Sequence, residues 1–174
     1  MPTPERTSLA AIVDAGRVLL EAGGPATLTM QAVAQRVGVR APSLYKRVRD
    51  REALVQLVAE ATVEDLGRRL AASDGSLTAL ARVYRSFAHE HPEGFRLMYS
   101  VPGSADALQR ASEPVLRAAG EAVGPDEALD AARLLTAWAT GFVSMELAGA
   151  FRLGGDVDQA FEYGLARLER ALGN

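Results

Sequence analysis

The sequence contains no cysteine, and only two histidines and one tryptophan among its 174 residues. A chain without cysteine forms no disulfide, no thiolate metal site and no cysteine nucleophile, which fits a reducing compartment such as the cytoplasm. No uncharged hydrophobic segment follows the first residues, so we expect no signal peptide. The longest uncharged apolar run, residues 134–145, is too short to span a bilayer. These absences argue against a secreted disulfide scaffold and a membrane span, and they predict a cytoplasmic protein.

The two histidines offer little for catalysis or metal binding. His89 and His91 lie two positions apart, and side chains at this spacing do not face each other on a helix. Pro92 follows directly and ends the helix. The sequence shows neither a glycine-rich phosphate loop nor a paired-carboxylate motif. We therefore expect no metal, no other cofactor and no catalytic site, and a helical enzyme remains only as an alternative.

The charges are unevenly distributed, although the whole chain has a net charge of only −3. Residues 1–51 contain eight Lys and Arg against four Asp and Glu, a net charge of +4, whereas the remainder contains eleven against eighteen, a net charge of −7. Six of the cations lie between Arg36 and Arg51, with only Asp50 to oppose them. Such a cluster indicates either a nucleic-acid-binding surface or a solvated basic face without a partner.

Apolar residues recur at spacings of three and four along the chain, which predicts an all-α fold. Glycines and prolines separate the periodic segments. Pro114 lies inside one of them, where it predicts a kink or a break. No segment shows sustained alternation of polar and β-branched residues. The expected helices, about nine in number, cover residues 7–22, 30–36, 42–47, 51–72, 77–91, 93–100, 105–122, 126–152 and 157–172.

The segment from 29 to 48 combines two short helices with a tight glycine turn, the arrangement of a helix-turn-helix. Thr29 is a suitable N-cap for the first helix, and Gly38 supplies a turn conformation that a Cβ would oppose. Apolar side chains bury the inner sides, at Val33, Val37, Val39 and Leu44. The outer side collects the short, polar and cationic groups that a major-groove reader needs: Arg40, Ala41, Ser43, Tyr45, Lys46 and Arg47.

These residues resemble the TetR family of transcriptional regulators. The resemblance is carried by three consecutive stretches, TMQAVAQRVGV at 29–39, RAPSLYKRV at 40–48 and RDREAL at 49–54. It covers residues 7–60 strongly. A weaker resemblance to the C-terminal ligand-domain type called WHG continues through His91-Pro92, residues 95–99, and the segment from Trp138 to Gly149. Thr140 stands at the position of the histidine in that signature.

The resemblance implies an all-helical homodimer that binds an operator through two half-sites and releases it when a small molecule binds. It implies a helix-turn-helix DNA-binding domain at residues 1–50, with its third helix as the recognition helix. A helical ligand-binding and dimerisation domain would follow at residues 51–174. More than one hundred residues therefore follow the DNA-binding module, which is more than dimerisation alone requires.

The family's DNA contacts carry over by position. Ser43 and Tyr45 would contact phosphate or a thymine methyl group, and Gln31 lies where relatives read bases. Ala41 also lies at a base-reading position, but it has only a methyl group to offer. Thr29 would direct a helix N-terminus toward the DNA backbone. The implied DNA-binding set is Thr29, Gln31, Arg40, Ala41, Ser43, Tyr45, Lys46, Arg47 and Arg51. Of these, Arg47 and Arg51 would hold phosphates, and Arg40 would contact either a guanine or a phosphate.

The last two helices, at 126–152 and 157–172, are the expected dimer interface. The first is rich in alanine and glycine, which permits close helix approach. The second carries an apolar stripe at Val157, Phe161, Leu165, Leu168 and Leu172. Two helices from each subunit would form a four-helix interface, unless the stripes pack only within the subunit. We prefer a dimer because reading a palindrome requires two-fold symmetry.

Large apolar side chains in this half of the chain are candidates for an effector pocket. The predicted lining is Tyr84, Phe87, Phe95, Met98, Trp138, Phe142 and Met145. The alternative is a filled core, because a stripe at helical spacing is more often core. Glu146 is a polar exception in an apolar helix, and it would face a ligand amine or pair with an arginine such as Arg133 or Arg152.

These features together predict a sequence-specific DNA-binding transcriptional regulator. Specifically, we expect a ligand-responsive repressor that binds a palindromic operator as a homodimer and is released by a small organic molecule. A helix-turn-helix activator, or a DNA-binding protein without a small-molecule ligand, is the main alternative. A helical enzyme is the other.

Overall fold

The computed structural model describes residues 8–102 and 105–173. Over these residues the chain is helical, with nine α-helices and one short 3-10 turn at Pro25–Thr27, which confirms the predicted fold class. The helices are α1 (Leu9–Gly23), α2 (Met30–Val37), α3 (Ala41–Leu44), α4 (Arg51–Ala71), α5 (Leu77–Glu90), α6 (Pro92–Met98), α7 (Ala105–Val123), α8 (Ala128–Leu147) and α9 (Val157–Leu172).

Helix α8 ends at Leu147, five residues earlier than the sequence predicted. Gly149 adopts a φ of 62°, and its N–H donates to the carbonyl of Glu146 over 2.9 Å. The N–H of Ala150 donates to the carbonyl of Met145, also over 2.9 Å. These two bonds form a Schellman motif, in which a left-handed glycine stops the helix and satisfies its last carbonyls.

Two other predicted features differ in detail. The third helix ends at Leu44 rather than at residue 47, and hydrogen-bonded turns cover residues 45–47. Helix α7 runs through Pro114 without interruption, so of the predicted kink or break the break is wrong and the kink stays a prediction. A single proline removes one N–H donor, and the turns on both sides of Pro114 remain helical.

The chain divides into two compact units. The first comprises the described residues up to Glu64 together with those of His91–Ala107, and the second comprises Asp65–Glu90 with the described residues from Leu108 onward. The first unit thus takes in the start of α4 and all of α6 in addition to α1–α3. A functional boundary after residue 50 stays a prediction.

Each unit has its own apolar core. In the first, α1–α4, α6 and the segments that connect them contribute fully or nearly fully buried side chains, among them Ile12, Leu20, Leu28, Val33, Leu44, Val48, Leu54, Val58 and Leu97. In the second, α7 and α8 meet through the small residues Ala119, Ala131 and Ala132. None of the helices in the described part of the chain combines the length and the hydropathy that a membrane span requires.

Candidate nucleic-acid interface

The helix-turn-helix is built from local signals in the sequence. Thr29 has an extended backbone, and its hydroxyl accepts a hydrogen bond from the N–H of Ala32 over 3.1 Å, which caps α2. Met30, Val33 and Ala34 bury the inner side of α2. Pro42 lies in the first turn of α3, where its missing N–H has no helical partner to lose.

Gly38 makes the turn between α2 and α3. Its φ of 75° lies in the left-handed region. Its N–H donates to the carbonyl of Gln35 over 3.2 Å, and the N–H of Val39 donates to that of Ala34 over 2.9 Å. The chain therefore leaves α2 in a fixed direction, and α3 is presented by backbone geometry.

The structure brings the predicted DNA-contacting side chains to the surface of one module. Tyr45 is 55% exposed, and Ala41 and Ser43 are half-buried. Leu44 and Val48 are almost fully buried, so they anchor the turn after α3 to the core. The exposed members of the predicted set are Thr29, Gln31, Arg40, Tyr45, Lys46, Arg47 and Arg51. The result is a cationic surface with a short helix at its centre.

Arg51 has a role that the sequence did not reveal. Its Nε donates to the carbonyl of Leu28 over 2.7 Å, and its Nη2 donates to the carbonyl of Pro25, also over 2.7 Å. Both acceptors lie just before the N-terminus of α2. Arg51 therefore ties the start of α4 to the start of α2, and its predicted phosphate contact stays a prediction.

Asp50 directly precedes α4 and caps its N-terminus. Its Oδ1 accepts a hydrogen bond from the N–H of Ala53 over 2.8 Å, and its Oδ2 lies 2.8 Å from Nε of Arg49. These two interactions, the backbone hydrogen bond first, lower the pKa of the Asp50 carboxyl. One carboxylate thus caps the helix and neutralises one cation of the basic cluster.

The second unit contains a small apolar cavity of about 30 Å³. It is lined by side chains from α4, α5, α7 and α8: Leu70, Leu80, Ala81, Tyr84, Val115, Leu135, Thr136 and Ala139. Tyr84 is the one residue of the predicted pocket in this lining. Its hydroxyl lies 2.7 Å from Oγ1 of Thr140, the residue at the position of the signature histidine.

The other predicted pocket residues lie elsewhere. Trp138 stacks on Phe161 at a centroid distance of 5.2 Å, and Phe142 contacts the same ring edge-to-face at 5.3 Å, in an aromatic cluster between α8 and α9. Phe95 and Met98 are buried in the first unit. Phe87 is fully buried beneath Arg69, and Met145 is 48% exposed. The structure therefore does not gather the seven predicted side chains around one cavity.

A charged network that the sequence did not predict joins α5, α8 and α9. Nε of Arg85 donates to Glu146 over 2.9 Å, its Nη2 donates to both Glu146 and Asp158, and its guanidinium lies 4.8 Å from the ring centroid of Phe161. The Arg85 and Glu146 side chains are only 16% and 12% exposed. The Glu146 carboxylate thus has its partner, Arg85, on α5.

The two arginines suggested as partners of Glu146 bind elsewhere. Arg133 pairs with Asp130, and Arg152 donates to the carbonyl of Gly149. Nε2 of His89 lies 3.1 Å from Glu146. No group of three or more metal-ligating side chains occurs within residues 8–102 and 105–173.

A glycine-turn helix-turn-helix with exposed cations on both sides of its second helix, followed by a separate helical unit, defines a DNA-binding transcriptional regulator. Residues 12–58 match the family model described as bacterial regulatory proteins, tetR family. Residues 77–168 match the model described as tetracyclin repressor-like, C-terminal domain. The chain belongs to the TetR family of transcriptional regulators. Membership in a family of regulators argues against the enzyme alternative.

One relative is itself named as a transcriptional regulator, and two solved structures share the fold. The uncharacterized HTH-type transcriptional regulator Rv0681 of Mycobacterium tuberculosis is 28% identical over 159 residues, which cover 84% of this chain and 73% of the relative. A protein of unknown function from Rhodococcus sp. RHA1 superposes with a TM-score of 0.81 at 25% identity, covering 99% of this chain and 100% of that one. A TetR variant from Acinetobacter baumannii AYE, solved with minocycline, superposes with a TM-score of 0.71 at 24% identity, covering 94% and 95%.

Proposed function

We propose that this regulator is a ligand-responsive repressor that binds a palindromic operator as a homodimer and is released by a small organic molecule. The observation that carries the proposal is the cationic surface around α3, formed by the exposed Arg40, Lys46 and Arg47, in a chain that also has a separate helical unit with a cavity. Because operator DNA lies in the cytoplasm, we propose that the protein is cytoplasmic.

In this proposal α3 enters the major groove. Gln31 and Ser43 read base edges, and Ala41 provides a methyl contact. Lys46 and Arg47 contact phosphates, and the capped N-terminus of α2 at Thr29 faces the DNA backbone. Arg40, at the N-cap of α3, is exposed, and in this proposal it contacts either a guanine or a phosphate.

The proposed dimer forms through α8 and α9. One side of α8 exposes Leu134, Ala137, Gly141 and Met145, and these positions lie on one helical face. On α9, Phe161 and Leu165 of the predicted stripe are buried within the same unit, whereas Tyr163 is 64% exposed. An apolar α8 face with small residues at its centre suits close approach of a second copy.

The proposed effector site is the cavity lined by Tyr84. The minocycline complex of the Acinetobacter relative supports a small-molecule ligand for this fold. The cavity volume of about 30 Å³ has room for about two water molecules, so an organic effector must widen it. A ligand that binds only the widened state shifts the population toward that state, which is how an effector would change DNA binding.

Selection of bound DNA from a random library tests the proposal. We expect enrichment of an inverted repeat whose half-sites are separated by one helical turn of DNA or a multiple of it. A compound panel is then screened for release of the enriched operator. Failure to enrich any sequence at moderate salt would contradict specific DNA binding. Enrichment without release by any compound would instead support a regulator without a ligand.

A further inference from the structure

The cavity in the second unit differs from its surroundings in its lack of charge. Six of its eight lining residues are aliphatic, namely Leu70, Leu80, Ala81, Val115, Leu135 and Ala139. The two polar ones, Tyr84 and Thr136, carry hydroxyl groups. Transferring an ionised group into such a lining without a counter-charge costs far more free energy than transferring a neutral one.

The arginine next to Tyr84 in the chain does not supply a charge to the cavity. Arg85 donates to Glu146 and Asp158, and its guanidinium lies over the ring of Phe161. Glu146 is held by the same arginine and by His89. The charged groups of this part of α5 and α8 therefore bind each other.

We infer that the effector is a small neutral molecule, mainly hydrocarbon, that binds among these aliphatic side chains. This inference rests on the proposed effector site. The Tyr84 hydroxyl lies 2.7 Å from Oγ1 of Thr140, which is outside the lining, so the cavity presents an almost wholly apolar surface to a ligand. A molecule the size of one ring widens the cavity, and an ionised one has no partner there.

Four single-ring compounds of nearly the same shape test the inference on the full chain. Toluene and benzyl alcohol are neutral, benzylamine is cationic and benzoate is anionic at neutral pH. We expect the two neutral compounds to bind in calorimetry and to raise the Tm, and the two ions to do neither at the same concentration. Binding of an ion as tightly as benzyl alcohol, or of none of the four up to their solubility, would overturn the inference.

Two variants locate the binding. Ala139→Leu fills the cavity and should abolish binding of the neutral compounds, whereas the same change at the exposed Ala71 should leave it intact. Binding of toluene or benzyl alcohol by Ala139→Leu with the affinity of the wild type would contradict the assigned site.

Operator release distinguishes this inference from the proposed function. If the neutral compounds bind to the wild type but not to Ala139→Leu, and the operator nevertheless stays bound, the inferred ligand class is supported and the proposed ligand-induced release is contradicted. If benzoate or benzylamine releases the operator instead, the proposed release is supported and the inferred neutral ligand class is wrong.

Discussion

Arg51 illustrates how one side chain can order the DNA-binding module through hydrogen bonds within the chain. Its guanidinium spans the carbonyls of Pro25 and Leu28 with two hydrogen bonds of 2.7 Å. A planar guanidinium offers donors in a fixed fork, and the ammonium group of lysine cannot reproduce that geometry. The position thus orients the N-terminus of α2, where Thr29 and Gln31 are expected to meet DNA.

We predict that Arg51→Lys weakens operator binding about tenfold but leaves its salt dependence unchanged, because the charge remains while the two carbonyl contacts do not. Arg47→Ala, by contrast, should weaken binding to all sequences and reduce the salt slope by about one. Titrations of labelled operator at several salt concentrations measure both quantities. Arg68→Lys, in the exposed last turns of α4, is the matched control. Full operator affinity in Arg51→Lys would rule out the positioning role.

The packing of α5 against α8 and α9 depends on polar contacts at successive turns. Thr78 donates to Glu169 over 2.9 Å, Arg82 binds Glu162 with two hydrogen bonds, and Arg85 binds Glu146 and Asp158. Of these, the Arg85–Glu146 pair is the most buried. Of these contacts, its loss should lower the free energy of unfolding most.

The ion pair between Arg85 and Glu146 predicts that the free energy of unfolding depends on pH. The hydrogen bonds from Arg85 lower the pKa of Glu146 below 4.5, against the opposing effect of burial and with a smaller contribution from His89. A lowered native pKa stabilises the fold above the unfolded pKa, and this stabilisation is lost as the pH falls through the native value.

Glu146→Gln should therefore reduce the free energy of unfolding by about 2 kcal/mol at neutral pH. The difference from the wild type should shrink as the pH falls below about 4.5, as measured by urea unfolding at several pH values. Glu121→Gln, at an exposed position of α7, is the control. A difference that does not change with pH would show that the carboxylate charge is not involved.

Gly164 sets how closely α9 can approach α8. A Cβ at this position would lie 2.6 Å from Cζ2 of Trp138, whereas a Cβ at Gly120 in α7 would lie 3.5 Å from its nearest neighbour. We predict that Gly164→Ala lowers the free energy of unfolding by about 1–3 kcal/mol through overpacking. Gly120→Ala should raise it by up to about 1 kcal/mol through helix propensity. Thermal unfolding of the two variants compares them, and equal stability would contradict the close contact.

At the scale of the whole molecule, the proposed dimer determines how tightly the operator is bound. One helix-turn-helix contacts one half-site, and two linked modules bind with far higher avidity than one. In the proposed dimer this linkage depends on the exposed α8 face, with Ala137 and Gly141 between Leu134 and Met145.

Ala137→Arg should convert the protein to a monomer, because a long charged side chain prevents close apposition of two copies of α8. We expect sedimentation to show the monomer mass and operator affinity to fall about a hundredfold. Ala71→Arg, a change of the same size at an exposed position of α4, should leave both unchanged. A dimer that persists in Ala137→Arg would place the interface elsewhere.

The DNA-binding module could be predicted from the sequence because its signals are local. Thr29 caps α2 through a residue three positions away, and Gly38 turns the chain through bonds to Ala34 and Gln35. The cavity could not be predicted in the same way. Helix α8 is apolar on several sides, so its periodicity does not decide whether Trp138 or Ala139 faces the cavity.

The sequence by itself determined the helices, their caps, the glycine turn and the basic module that defines the family, because each depends on residues a few positions apart. Only the tertiary structure decided which groups meet across the chain. Arg51 reaches carbonyls more than twenty residues away, and Glu146 finds Arg85 on another helix. Such pairs depend on how each helix is rotated about its axis, and that rotation is set by packing within each unit.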